Sequence, residues 1–283
     1  MPNSSVTTTV IRVDFVSDEL LHVLVCSNDI RENYVSELRR IDRTNRRASD
    51  ILLHRKEWLT NFYSPDSQTS YVSRWDNTIY LVRGSATDAV KRPCEAITRM
   101  IGAPDGRVFA TCYEGLVQML EADAWRSLDM KRNVDLFHVV ADGPNAFFVC
   151  GAEATLARWQ DGHWSFIDLP TSADFFALAV CADGDIVVCG DHVLFKGRAE
   201  EWVSIDTPDA TFHHALRVGE KVYLSGGEKG LFYLEHGEVR PFDTDVYAYH
   251  CDARGESIVC CGANVVHVFH QGQKHEIAFD DLF

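Results

Sequence analysis

An all-β fold is indicated by three features of this 283-residue sequence. Short markers recur at intervals of 37 to 39 residues. The pieces between them are five to seven residues long, alternate in polarity or are briefly apolar, and end in turn residues. No segment keeps a helical period over about 12 residues. A unit of this length with four short strands predicts a propeller blade, and we expect seven four-stranded antiparallel blades in a β-propeller.

The clearest marker is a tryptophan followed four residues later by an aspartate. Trp125, Trp164 and Trp202 are 39 and 38 residues apart. Asp243 and Asp280 continue the aspartate series at intervals of 37. We expect the tryptophans to fill the interface between outer strands of neighbouring blades, with ligand stacking as the alternative.

A second marker ends in Cys-Gly and contains Cys150, Cys189 and Cys261. The repeat predicts equivalent buried positions, where cysteine acts as a small hydrophobic residue. A redox or metal role is the alternative. The cysteine count is nine and no Cys-x-x-C occurs, which favours free thiols in a reducing compartment and hence the cytoplasm.

The markers divide the chain into blades without a second domain. We predict one propeller domain over 1–283, with six blades as the alternative if the N-terminal segment is an elaboration. The predicted blades are 6–54, 55–96, 97–135, 136–174, 175–213, 214–247 and 248–283. Pairing of Val6–Val10 outside His275–Phe279, which would complete the last blade, stays open.

The stretch Gly151–Ser165 resembles the repeats of many bacterial propellers, in which a glycine-rich turn leads to a strand ending Arg-Trp/Tyr-x-x-Gly-x-Trp. In blade length the chain also resembles WD40-type and YVTN-type propellers. The Gly-His and Trp-Asp dipeptides at the WD40 positions are absent, and so is the sialidase-type Ser-x-Asp-x-Gly-x-Thr-Trp box. The resemblance implies the fold. It does not choose among binding, scaffolding and hydrolysis, all of which propellers support.

The charge of the chain is strongly acidic and unevenly distributed. It holds 27 Lys and Arg against 42 Asp and Glu, a formal net charge of −15. Residues 101–283 carry −16 and residues 1–100 carry +1. Nucleic-acid binders need a basic surface, so we expect no nucleic-acid partner. No stretch approaches the roughly 18 apolar residues of a membrane span, so we expect no membrane partner. Residues 1–9 lack a signal-peptide pattern, so we expect no secretion by a signal peptide.

Eight of the basic residues lie between Arg31 and Lys56, interleaved with carboxylates. This pattern is typical of a solvated strand edge. A local contact with an anion or a partner is the alternative.

Catalytic motifs are weak. Predicted inner strands carry His138, His214 and His250, and three histidines with a carboxylate could hold a divalent metal that activates water. A metal-dependent hydrolase or lactonase is therefore the alternative function. Neither Gly-x-Ser-x-Gly nor a phosphate-binding Gly-x-x-x-x-Gly-Lys-Ser/Thr motif occurs. We assign no catalytic residue, metal or cofactor and expect a protein that is not an enzyme.

Our main expectation is a protein-binding propeller, most concretely a bacterial cytosolic inhibitor or immunity protein that neutralises a toxin or enzyme with a basic surface. One propeller face is formed by loops joining second to third strands and by loops joining successive blades. The residues mapped to that face are Tyr113, Glu114, Glu153, Asp174, Asp191, Asp209, Glu228, Asp245 and Tyr247. The alternative is that these turns are simply rich in Asp and Glu.

Overall fold

A computed structural model describes residues 6–43, 49–91, 96–103, 106–121, 124–143, 145–199, 201–280 and 282. Its strands form seven four-stranded antiparallel sheets, each built from four consecutive strands. The fold is the predicted seven-bladed β-propeller, and the six-bladed alternative is wrong. Cys94 lies outside the described residues.

Three sheets come from the two ends of the chain. Sheet 1 holds β1 (Thr7–Phe15), β2 (Leu20–Asn28), β3 (Tyr34–Asp42) and β4 (Ser49–Arg55). Sheet 2 holds β5 (Leu59–Tyr63), β6 (Thr69–Arg74), β7 (Thr78–Arg83) and β8 (Ala86–Lys91). Sheet 7 holds β25 (His250–Arg254), β26 (Ser257–Gly262), β27 (Val265–His270) and β28 (Gln273–Ala278).

The other four sheets come from the middle of the chain. Sheet 3 holds β9 (Ile97–Gly102), β10 (Val108–Cys112), β11 (Leu116–Glu121) and β12 (Ala124–Asp129). Sheet 4 holds β13 (Leu136–Ala141), β14 (Ala146–Gly151), β15 (Leu156–Gln160) and β16 (His163–Phe166). Sheet 5 holds β17 (Phe175–Val180), β18 (Ile186–Gly190), β19 (Leu194–Arg198) and β20 (Glu201–Ser204). Sheet 6 holds β21 (His214–Val218), β22 (Lys221–Ser225), β23 (Leu231–Glu235) and β24 (Glu238–Asp243).

The described residues divide into two compact units. The terminal unit lies within 1–92 and 250–283 and contains sheets 7, 1 and 2. The central unit lies within 93–249 and contains sheets 3 to 6. In both units the first strands of successive sheets are neighbours. The described part of the chain has one helical element, the short 3-10 turn Tyr113–Gly115, and no helix in it is long and apolar enough to cross a membrane.

In the terminal unit, sheet 1 packs against sheet 7 on one side and sheet 2 on the other. Val13 and Val23 of sheet 1 are fully buried with Val259 of sheet 7. The backbone N–H of Val10 donates to the carbonyl of Ala263, 2.6 Å away. The strand Thr7–Phe15 pairs with β2 as the first strand of sheet 1, so it does not complete the last blade.

In the central unit, three apolar clusters lie between successive sheets. Between sheets 3 and 4, Phe109 and Phe147 are fully buried with ring centroids 4.9 Å apart. Trp164 packs edge-on against Phe147, with centroids 5.6 Å apart. Trp202 packs against the cluster between sheets 4 and 5. These two tryptophans therefore take the predicted interface role.

The Cys-Gly marker has a steric origin. A Cβ atom at Gly151 would lie 2.0 Å from the carbonyl oxygen of Asp135, and one at Gly190 would lie 1.8 Å from that of Asp174. Each glycine is the last residue of the second strand of its sheet and lies beside the residue that precedes the first strand. The backbones approach so closely there that only glycine fits. Cys150 and Cys189 beside them are fully buried free thiols.

The basic run between Arg31 and Lys56 is largely paired within the terminal unit. Arg39 forms an ion pair with Glu37 at 2.6 Å, and Arg40 forms one with Asp50. Arg43 donates to the Ser257 hydroxyl at 2.6 Å. These contacts fit the predicted solvated strand edge. Arg46 and Arg47 of the same run lie outside the described residues.

Candidate functional site

The first strands of sheets 4 and 5 begin with a β-bulge that places an aromatic residue out of register. In sheet 4, Leu136 pairs with Gly151 and His138 with Cys150, so Phe137 is the extra residue. Phe176 is the extra residue at the same place in sheet 5. A bulge redirects the side chain of its extra residue, and bulges are common at binding sites.

These residues begin an aromatic row, which we define as Phe137, Phe176, His213 and Tyr249. The ring centroids of Phe137 and Phe176 are 5.5 Å apart, and those of Phe176 and His213 are 5.9 Å apart. His213 and Tyr249 are 4.9 Å apart. Tyr249 is 41% exposed, and the other three rings are half-buried. The row thus gives the central unit a continuous, partly exposed aromatic strip.

The loop between β22 and β23 supports one end of the aromatic row. The backbone N–H of His213 donates to the carbonyl of Ser225 at 2.8 Å. Gly227 has φ +61°, and a Cβ there would lie 3.1 Å from His213 Nε2 and 3.3 Å from Tyr249 Cε1. Burial lowers the pKa of His213, although the negative charge of Asp191 opposes the shift. The imidazole is therefore neutral near pH 7 and stacks as an uncharged ring.

Four of the predicted acidic residues are connected, and we define Glu153, Asp174, Asp191 and Asp209 as the carboxylate cluster. The backbone N–H of Glu153 donates to Asp174 Oδ1 at 2.9 Å. The backbone N–H of Asp191 donates to the carbonyl of Asp174 at 3.0 Å. His192 lies 3.6 Å from Asp191 and 3.0 Å from Asp209. The cluster therefore joins loops of sheets 4, 5 and 6. Asp191 Oδ1 also accepts the Thr211 hydroxyl at 2.8 Å, two residues before His213 of the aromatic row.

Three more predicted residues lie near the Tyr249 end of the aromatic row. Glu228 is exposed in the loop between β22 and β23, and Gly227 in that loop forms a β-bridge with Ala248. Asp245 and Tyr247 precede Ala248, and Tyr247 is 44% exposed.

The other two predicted residues, Tyr113 and Glu114, lie in the 3-10 turn of sheet 3. The described interactions do not connect either residue to the carboxylate cluster. Tyr113 is 39% exposed, and Glu114 is exposed with φ 60°.

The three histidines of the metal hypothesis have different surroundings. His138 and His214 are buried in the central unit with ring centroids 5.5 Å apart. His250 belongs to the terminal unit, where its Nε2 lies 3.0 Å from Asp14 Oδ1. Among the described residues, no group of three or more His, Cys, Asp or Glu is arranged to hold a metal ion. The hydrolase alternative therefore gains no support.

Asp14 belongs to a buried polar network of the terminal unit. The Arg12 guanidinium donates to both Asp14 oxygens at 2.8 and 2.9 Å and to Asn61 at 2.7 Å. Burial alone would raise the pKa of Asp14, but Arg12 and His250 hold it well below its usual range. Burial and the charge of Asp14 raise the pKa of Asp252 to about 7. The network ties the first strands of sheets 7, 1 and 2 together by internal contacts, so we interpret it as structural.

The aromatic row was not predicted from the sequence, although a signal for it exists. Phe137 and Phe176 are 39 residues apart, the same interval as Trp125 and Trp164. Aligning the segments around the start of each first strand would have shown aromatic residues at equivalent positions. Both residues are the extra residues of bulges, which the sequence pattern does not reveal.

Comparisons with known proteins agree with the fold. The WD40 β-propeller domain of Doa1 is similar with a TM-score of 0.75 and 13% identity, covering 95% of this chain and 96% of that one. The C-terminal WD40 domain of Sif2 is similar with a TM-score of 0.68 and 12% identity, covering 94% of this chain and 82% of that one. The structure of YCF48 bound to D1 peptide is similar with a TM-score of 0.66 and 11% identity, covering 99% of this chain and 96% of that one. No family model matches the sequence, and no curated protein matches it.

Proposed function

We propose that this chain is a non-catalytic protein-binding propeller whose partner docks on the aromatic row and the carboxylate cluster. The observation that carries the proposal is the contact of four aromatic rings, 4.9 to 5.9 Å apart, together with the hydrogen bond of Asp191 in the carboxylate cluster to Thr211, two residues from His213. Aromatic residues dominate the energetics of protein interfaces, and a charged rim adds specificity. A propeller fold suits such a scaffold.

The shape of the site favours a polypeptide partner. The aromatic row extends from sheet 4 past sheet 6, and its rings are partly exposed rather than enclosed in a cavity. An extended segment or loop contacts such a strip along its length, whereas a small ligand needs a concave pocket. A similar propeller, YCF48, has been solved with a bound peptide, which supports this choice.

The charge of the site favours a basic partner. Residues 93–249 hold 12 Lys and Arg against 25 Asp and Glu, a formal net charge of −13. Arginine stacks on aromatic faces and pairs with carboxylates, so it complements both parts of the site. We propose in particular a cytoplasmic inhibitor of the immunity type, which covers a basic functional surface of a toxin or enzyme.

Association kinetics test this proposal. After affinity capture and identification of the partner, the triple variant Glu153→Lys, Asp191→Lys and Asp209→Lys should associate about tenfold or more slowly at low salt. The matched control is Asp161→Lys, Glu201→Lys and Glu220→Lys, which makes the same charge change at other exposed positions of the central unit. Equal association rates for the two folded variants would exclude the carboxylate cluster.

A further inference from the structure

A second aromatic site lies in the terminal unit, between sheets 1 and 2. It is a cleft of about 710 Å³ lined by Tyr34, Trp58 and Trp75 together with polar side chains. The rings of Tyr34 and Trp58 are stacked, with centroids 5.2 Å apart and an interplanar angle of 12°. Trp58 is 41% exposed and Trp75 is 53% exposed. We call this site the tryptophan cleft. Two tryptophans left half in solvent beside a stacked tyrosine are typical of a binding surface.

The tryptophan cleft is held by hydrogen bonds at its base. Trp75 donates its backbone N–H to the carbonyl of Trp58 at 3.2 Å, which pairs the two tryptophans across β5 and β6. The Ser36 hydroxyl donates to the carbonyl of Glu57 at 2.8 Å and accepts the backbone N–H of Leu59 at 3.2 Å. These bonds connect sheets 1 and 2 under the aromatic rings, so the cleft exists before a ligand binds.

The polar lining of the tryptophan cleft combines several hydrogen-bond donors with two carboxylates, Glu57 and the exposed Glu32. Arg74 and the Tyr80 hydroxyl already bind the two oxygens of Glu57, at 3.2 and 2.7 Å. Asn33 uses its amide N–H to bind Asp29. Exposed donors remain: among the described residues, the indole N–H groups of Trp58 and Trp75 and the ammonium group of Lys56 have no acceptor.

We propose that the tryptophan cleft binds a proline-rich segment of a polypeptide in the polyproline II conformation. Proline has no N–H, so such a segment presents carbonyl acceptors and apolar rings but few donors. A donor-rich aromatic cleft complements that chemistry. Aromatic-lined grooves are the usual receptors for polyproline II segments, which lose little conformational entropy on binding. An oligosaccharide also stacks on tryptophan, but each of its many hydroxyl donors needs an acceptor. Glu57 is already engaged by Arg74 and Tyr80, so Glu32 is the carboxylate of the lining that would be left to accept them.

The tryptophan cleft is independent of the proposed basic-partner site, because it lies in the other unit and uses different residues. Titration calorimetry with a nonaproline peptide tests it, with a glycine-serine nonapeptide as the control ligand. We expect the full chain to bind nonaproline. The variants Trp58→Ala and Trp75→Ala should each weaken binding about tenfold or more. The variant Phe242→Ala removes a ring that is 40% exposed in the central unit and should bind like the wild type.

A conservative variant of the tryptophan cleft separates a loss of binding from a loss of folding. Trp58→Phe keeps an aromatic platform and removes the indole donor, so it should weaken binding by less than Trp58→Ala. The proposal would be overturned if the wild type did not bind nonaproline, or if Trp75→Ala bound it with unchanged affinity. Binding of maltohexaose but not of nonaproline would also overturn it and indicate a carbohydrate site. The carboxylate-reversal triple variant should retain nonaproline binding, so this result is separate from that of the proposed function.

Discussion

Asp174 Oδ1 accepts the backbone N–H of Glu153 at 2.9 Å, so a carboxylate preceding sheet 5 orders a loop of sheet 4. Asp174→Ala removes this acceptor, and we expect a loss of about 1 kcal/mol in the free energy of unfolding. Asp174→Asn keeps a carbonyl oxygen at the same place and should cost less. Urea unfolding of both variants measures the difference. Equal stability of the alanine variant and the wild type would show that the bond does not order the loop.

The close approach at Gly190 predicts a larger effect. A Cβ there would lie 1.8 Å from the carbonyl oxygen of Asp174, so Gly190→Ala forces a backbone shift at the start of sheet 5. We expect a loss of about 3 kcal/mol or more, or a failure to fold.

Gly219→Asn is the control for Gly190→Ala. Gly219 has φ +61° with open space around it, and asparagine tolerates that conformation. A thermal melt should show Gly219→Asn close to the wild type. A Gly190→Ala variant that melts at the wild-type temperature would contradict the steric explanation of the Cys-Gly marker.

The raised pKa of Asp252 predicts a pH dependence of stability. Its pKa is about 7 in the folded protein against 3.8 ordinarily, so the folded state keeps a proton that the unfolded state has lost. The free energy of unfolding should therefore fall as the pH rises from about 4 through 7. Asp252 Oδ2 accepts the backbone N–H of Phe15 at 2.6 Å, and Asp252→Asn stays neutral while its amide oxygen can still accept that N–H. It should be more stable than the wild type at pH 8, by about 1 to 3 kcal/mol, and the difference should shrink at pH 5.

Urea unfolding at pH 5 and pH 8 checks this prediction. Asp18→Asn is a matched control, because the Asp18 side chain is 86% exposed and pairs only with Arg254 among the described residues. The depressed pKa of Asp14 affects stability in a different pH range. Its contribution to the free energy of unfolding is lost only as the pH falls below about 4. Parallel pH profiles for Asp252→Asn and the wild type would contradict the assignment.

Buried thiols give the next prediction. Eight cysteines of the described residues are free and buried, and burial raises the pKa of Cys181 to about 11 and that of Cys150 well above its usual value. These eight should react slowly with a thiol reagent at pH 7 until urea unfolds the protein. Cys150→Ala should cost about 1 to 2 kcal/mol through a small cavity. Mass spectrometry that finds all nine thiols labelled rapidly in the native state would contradict this.

The sequence predicted the fold because blade markers repeat. Trp164 and Gly190 occupy positions fixed by packing between sheets and by close backbone approach, and such constraints recur in several of the blades. The binding surface is a different case. Phe137 and Phe176, whose ring centroids are 5.5 Å apart, are each the extra residue of a β-bulge, and a bulge leaves no mark in the polarity pattern. The tryptophan cleft likewise depends on side chains from two sheets, and Tyr34 and Trp58 are 24 residues apart in the chain.

The charged residues show the same limit. Mapping repeats placed Asp174, Asp191 and Asp209 in loops of one face, and the structure connects them. The same reasoning grouped His250 with His138 and His214, yet His250 lies beside Asp14 in another unit. Repeat position gives the strand and the loop of a residue. Its partner depends on neighbouring side chains such as Arg12, which no repeat pattern identifies.

The dissociation rate of a captured basic partner tests the central claim most directly. Phe176 contacts both Phe137 and His213 in the aromatic row, so Phe176→Ala interrupts the row at its middle. We predict that the partner leaves this variant at least about tenfold faster than the wild type, because truncating a central aromatic residue acts mainly on dissociation. Phe242→Ala, the same change at a ring outside the row, should dissociate at the wild-type rate. An unchanged dissociation rate for folded Phe176→Ala would contradict docking on the aromatic row.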